Sequence, residues 1–114
     1  MSQNVYVVDA RRTPVGSFQG ALAHLTAPQL GAHAIAALNP DDNIDEVIMG
    51  NVVSAGLRQA PARQAMRIAG MNDGVGATTI NKVCGSGMKA TMLATDIIRA
   101  GSATRVIAGG MESM

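Results

Sequence analysis

The residues best suited to chemistry lie at 81–90, where Asn81-Lys82-Val83-Cys84-Gly85-Ser86-Gly87-Met88-Lys89-Ala90 sets the sole cysteine between a β-branched run and a glycine-lined turn. Residues 78–83 read as a strand and residues 88–99 as a helix, so Cys84 falls where a strand gives way to a helix N-terminus. Free backbone N–H groups and aligned peptide dipoles make such a place electropositive. A thiolate is favoured there, and the thiolate is the nucleophilic form of cysteine. Cys84 is therefore a candidate nucleophile for covalent acyl transfer, with Gly85 and Gly87 sparing an incoming substrate the crowding of a Cβ. A lone cysteine is otherwise a small buried hydrophobe, but a packing cysteine has no need of the Gly-Ser-Gly that follows.

Other reactive residue types are sparse. Lys82 and Lys89 flank Cys84, and simple solvation explains both. His24 lies in a long loop and His33 among Ala32, Ala34 and Ile35 of a helix, and neither sits in a pattern that marks a general base. Two separated histidines and one cysteine make no metal site of ordinary spacing. Redox sensing is a further role for the thiol, but no resolving cysteine is present. Residues 85–90 also satisfy the G-x-G-x-x-G/A dinucleotide pattern. That fold places its fingerprint after the first strand and an acidic residue after the next, whereas here three apolar runs precede the turn and the following one ends in Gly109-Gly110.

The elements that position Cys84 follow from periodicity and punctuation. Val5-Tyr6-Val7-Val8 reads as a first buried strand, and Arg12-Thr13-Pro14-Val15-Gly16 opens a loop over 10–26. Pro28 suits the first turn of a helix capped by Thr26 or Ala27, which runs to about Leu38 before Asn39-Pro40. Val47-Ile48-Met49 is a second strand. Pro61 opens a second helix, with Ala62, Ala65, Met66 and Ala69 at helical spacing up to Gly70. After the strand at 78–83, the helix at 88–99 carries only Lys89, Asp96 and Arg99 as charges, on one stripe, which predicts burial on most sides. Residues 105–110 form a fourth strand. The order βαβαβαβ predicts an α/β layered fold with a mainly parallel sheet. Nothing after that last strand is left to cover the sheet edge or the far face of the long helix, so the domain at 1–114 is expected to be incomplete.

Composition narrows the class further. The 114 residues are 47% hydrophobic and 15% charged with net charge +1, and nine basic residues are dispersed among eight acidic ones. That excludes a nucleic-acid-binding patch and a disordered chain. No stretch reaches the length of a membrane span, no export signal is visible, and one cysteine fits a reducing, cytoplasmic setting. Apolar content is mostly small: nineteen alanines and thirteen glycines, with no tryptophan, one tyrosine and one phenylalanine. Such side chains bury little area each, which predicts close backbone packing within a larger assembly.

The motif around Cys84 resembles the thiolase signature for the acyl-accepting cysteine, and Gly109-Gly110-Met111-Glu112-Ser113-Met114 resembles the next motif of that family. Arg12-Thr13-Pro14 with Gly16, the segment Val47-Ile48-Met49-Gly50-Asn51-Val52, and Gln59-Ala60-Pro61-Ala62-Arg63-Gln64 match further family segments in the same order. The resemblance implies the amino-terminal half of a thiolase-like fold. It implies that Cys84 accepts an acyl group from an acyl-CoA or 3-ketoacyl-CoA, its backbone N–H lying in an oxyanion hole, as in acetyl-CoA C-acetyltransferases. Coenzyme A thioesters are then substrates, and no metal or redox cofactor is implied. Glu112 is placed near the site without a defined role. Thiolases complete turnover with a histidine from a Gly-His-Pro segment and a second cysteine from a Cys-x-Gly segment, both carboxy-terminal and neither present here, so this chain alone is expected to lack turnover. Family chains are several times longer and pair as homodimers or homotetramers, with the strand at 78–83 at the dimer contact. Residues 38–44 are several positions shorter than the family pattern. Ketoacyl synthases carry a nucleophile at a similar turn, but the ordered motifs fit a thiolase better. The alternative is a non-catalytic association fragment or the partner of a separate carboxy-terminal chain.

Overall fold

The computed structural model describes residues 3–114. Three parallel strands, β1 (Glu46–Gly50), β2 (Gly76–Ile80) and β3 (Val106–Gly110), form one sheet in the order β2-β1-β3. Their ends are flush, with Glu46 opposite both Gly76 and Val106, and Gly50 opposite both Ile80 and Gly110. Three helices complete the fold: α1 (Ala27–Ala37), α2 (Pro61–Ile68) and α3 (Ser86–Arg99).

The chain winds outward from β1 to β2 through α2 and back across β1 to β3 through α3. With right-handed crossovers, travel in opposite directions puts the two helices on opposite faces. Side-chain alternation along β1 serves both. Val47 and Met49 join Ala27, Ile35, Ala62, Ala65 and Met66 on the α1–α2 face. Ile48 joins Ala90 and Ala94 on the α3 face. A strand buried on both sides reads as a continuous apolar run, and Val47-Ile48-Met49 is such a run.

The helix starts are local chemistry. Thr26 and Gln29 form a capping box at α1, the Thr26 hydroxyl accepting from the Gln29 N–H and the Gln29 carboxamide accepting from the Thr26 N–H. Pro28 and Pro61 sit in the first turns of α1 and α2, where no N–H is needed. Ala60, just ahead of α2, takes a left-handed φ of 51° and supplies no side-chain cap.

Two expectations need correction. The run at 5–8 forms no strand, so the order is αβαβαβ rather than βαβαβαβ; Val7 and Val8 are exposed, because an extended run becomes a strand only when a neighbouring backbone satisfies its N–H and C=O groups. Among the described residues α1 and α2 cover one face of the sheet and α3 the other, and the outer edges of β2 and β3 are open. Finally, α3 is not buried on most sides. It buries Ser86, Ala90 and Ala94 against the sheet, while Met88 and Met92 face outward at 74% and 52% exposure, there being no second layer beyond it.

Candidate active site

Parallel strands that end flush bring their carboxyl ends to one rim, and the rim at Gly50, Ile80 and Gly110 is where Cys84 stands. β2 stops at Ile80, three residues short of the expected strand end, because the chain turns there rather than continuing. Asn81 Oδ1 accepts from the Val83 N–H at 2.9 Å, and Lys82 C=O accepts from the Gly85 N–H at 3.0 Å. Between them Val83 adopts φ 48°, a left-handed conformation that is an outlier for a β-branched residue. Cys84 follows directly and is exposed, with its thiol unpaired to any other cysteine. Helix α3 begins at Ser86, two residues earlier than expected, with Gly85 as its cap.

Ser86 binds this turn from inside. Its hydroxyl accepts from the Lys82 N–H at 2.8 Å and donates to the Val83 C=O at 2.6 Å, and the residue is only 5% exposed. The base of the turn rests on bare backbone. A methyl group on Gly50 would lie 2.6 Å from Ser86 Cβ and 2.9 Å from Gly87 N, and one on Gly110 would lie 3.1 Å from Gly87 Cα. Glycine at 50 and 110 thus lets the start of α3 settle directly on the ends of β1 and β3. A methyl group on Gly87 would lie 3.4 Å from Gly110 N, in van der Waals contact with the end of β3. A methyl group on Gly85 would meet Lys82 O at 3.5 Å, an ordinary contact.

A second linkage fixes the loops beyond the strand ends. The Glu112 carboxylate accepts from the Val52 N–H at 3.0 Å, the Val53 N–H at 2.8 Å and Asn51 Nδ2 at 3.0 Å. Asn51, 2% exposed, also donates from Nδ2 to Met111 C=O at 3.1 Å. Its Oδ1 is buried without a partner among the described residues. Glu112 was expected near the site without a role; the structure shows it tying the loop after β1 to the loop after β3. A carboxylate with three donors is committed to them.

The remaining candidates lie apart or outside. Lys82 is exposed in the turn, and Lys89 is half-buried on the first turns of α3. His33 is exposed on α1, in the layer across the sheet from α3, and His24 is exposed in the turns ahead of α1. No cluster of three or more His, Cys, Asp or Glu suited to a metal ion occurs among the described residues, and no helix there is long and apolar enough to cross a membrane. Sequence reasoning missed Ser86, Asn51 and the glycine contacts between strands. Asn51 and Glu112 each lie just past a strand end, yet only the pairing of Gly50 with Gly110 reveals that they are neighbours.

Comparison with known proteins agrees with this geometry. The family model for the thiolase N-terminal domain matches residues 5–114. An acetyl-CoA acetyltransferase of Saccharomyces pastorianus is 51% identical over the whole chain, and one of Escherichia coli is 49% identical over 98% of it. In both cases the matched region is 30% of the relative's length. Among solved structures, an Ascaris suum thiolase in complex with coenzyme A superposes with a TM-score of 0.91 at 38% identity, over 95% of this chain and 30% of that one. The chain thus spans less than a third of the proteins it matches. With an exposed cysteine on the turn into α3, a parallel sheet beneath it, and a match to the N-terminal domain model over residues 5–114, the chain belongs to the thiolase family.

Proposed function

We infer that this chain supplies the acyl-accepting half of an acetyl-CoA acetyltransferase-type thiolase, with Cys84 as the nucleophile. The observation that carries this reading is the exposed Cys84 thiol, held at the carboxyl rim of a parallel sheet by a turn that the sheet itself supports. The Cys84 thiolate attacks the thioester carbonyl carbon of an acyl-CoA, and the carbonyl electron pair moves onto oxygen. As the tetrahedral intermediate collapses, the bond to the CoA sulfur breaks; the acyl group stays on Cys84 and coenzyme A leaves as a thiolate that takes up a proton. The Cys84 N–H is our candidate donor to the oxyanion, in the manner of acyl-transfer sites generally. Residues 1–114 act here as part of one amino-terminal domain. Making or cleaving a 3-ketoacyl-CoA requires a base and a second acid/base group, which we assign to residues outside this chain.

Association fits the same surface. Met88 and Met92 project from α3, and the outer edge of β2 offers unpaired backbone groups. We assign this patch to pairing with a second thiolase subunit, as a homodimer or within a homotetramer. A reducing compartment such as the cytoplasm suits an exposed free thiol.

The direct test is incubation with acetyl-CoA, followed by intact mass and peptide mapping. One acetyl group on Cys84, with equimolar release of coenzyme A and no adduct on Cys84→Ala, is the expected result. Acetylation at other residues with Cys84 unmodified sinks the assignment.

A further inference from the structure

We propose that Ser86 is a positioning residue for Cys84, acting through the backbone of Val83. This rests on the assignment of Cys84 as nucleophile, but the observations behind it are independent of that chemistry. A β-branched residue at φ 48° occupies a conformation that costs free energy and persists only where its surroundings impose it. Val83 is exposed, so no packing of its own side chain imposes it. What does is the buried Ser86 hydroxyl, which links the residues on either side of the strained φ. It takes the Lys82 N–H ahead of Val83 and gives its proton to the Val83 C=O behind it. The Ser86 N–H adds a second bond to the same carbonyl at 3.1 Å, and Asn81 Oδ1 holds the Val83 N–H. Rotation of Val83 to a negative φ breaks these bonds and swings Cys84 away from the start of α3. Ser86 itself cannot follow that movement, because its Cβ is wedged against Gly50.

Serine at this place therefore does something alanine of nearly equal size cannot. It converts the rigidity of the β1–α3 contact into a fixed direction for the Cys84 side chain. Substrate need not touch Ser86 for this to matter, since nucleophilic attack depends on the approach geometry of Sγ.

The test compares the chain with Ser86→Ala and with the double variant Ser86→Ala, Val83→Asn. Asparagine tolerates left-handed φ, so it supplies locally what the hydroxyl imposes. Two readouts are taken: the rate of acetyl transfer from acetyl-CoA to Cys84, and the backbone chemical shifts of residue 83 with its intraresidue HN–Hα NOE, which is strong at positive φ and weak at negative φ. Ser86→Ala is expected to slow acetylation about tenfold, the scale of a lost buried hydrogen bond, and to move the residue 83 signals toward negative φ. The double variant should recover to within about threefold of the parent and return those signals. Unmoved residue 83 signals in Ser86→Ala overturn the proposal, as does a double variant no better than Ser86→Ala. If the parent takes no acetyl group at all, the functional assignment fails, while the residue 83 signals and the rate of Cys84 alkylation by iodoacetamide still decide the role of Ser86.

Discussion

Gly50 at the end of β1 and Ser86 at the start of α3 are in backbone-to-side-chain contact so close that a methyl group on Gly50 would lie 2.6 Å from both Ser86 C and Ser86 Cβ. Nothing there is the flexible end of a side chain that could move aside. Gly50→Ala should therefore push α3 off the strand ends and destabilise the fold by about 1–3 kcal/mol, as overpacking does. Urea unfolding is the check: a lowered midpoint with an unchanged slope is expected. A midpoint equal to the parent's would mean that the seat of α3 is loose.

Glu112 holds the loops after β1 and β3 together, so its loss should open both. Glu112→Ala leaves the Val52 and Val53 N–H groups and one bond of Asn51 without their acceptor, a loss of about 1–3 kcal/mol if they stay buried from water. Hydrogen exchange at Val52 and Val53 resolves this residue by residue. Protection should fall at these two amides in the variant while the β1 amides keep theirs. Retained protection would show that the loop is held by its other contacts.

Acid should act on stability through the opposite rim of the sheet. Asp45 accepts from the N–H groups of Thr104 and Arg105 and from the Thr104 hydroxyl, which hold its carboxyl below the ordinary range. The Asn43 N–H and the Arg105 guanidinium do the same for Asp41, with Arg105 bonding both of its oxygens. A carboxylate whose folded pKa is depressed contributes stability that is complete above its unfolded value, near 3.8, and is lost as pH falls through the lower folded value. Unfolding followed from neutral pH downward should thus show a loss of stability confined to that acid window. Asp45→Asn should flatten it, and an identical acid limb in the variant would assign the loss to other carboxyls.

The outward face of α3 should govern association. Met92→Lys places a charge in the exposed apolar patch without touching the Ala90 and Ala94 contacts with the sheet. Sedimentation should show the parent associating with rising concentration and the variant shifted toward monomer, with the acetylation of Cys84 read in parallel. Unaltered association would move the interface elsewhere, the open edge of β2 being the next surface to alter.

What the sequence by itself determined was whatever depends on neighbours along the chain. The cap at Thr26, one of the two residues read for it, the helix starts at Pro28 and Pro61, the apolar run of β1, and a cysteine at a strand-to-helix turn are all local, and the structure places each where periodicity and turn chemistry put it. The tertiary structure decided the rest, for reasons of pairing and contact. The run at 5–8 is as apolar as β1, yet a strand exists only if another backbone lies beside it, and none of the described chain does so there. The helix at 86–99 is apolar nearly all round, yet it buries only the face that has a sheet to meet. Gly87 reads as room beside the cysteine, and only the fold sets Gly110 against it; Ser86 has no sequence reading of its own, and only the fold shows its buried hydroxyl bonded to Lys82 N–H and Val83 C=O. Gly50, the Ser86-Gly87 pair and Gly110 are far apart in the chain and meet only because parallel strands of equal length end together. The candidate nucleophile was legible in one short motif and the Ser86 bonds to its turn are local, whereas the seat beneath Ser86 and Gly87 is built from the ends of β1 and β3 and exists only once they are assembled.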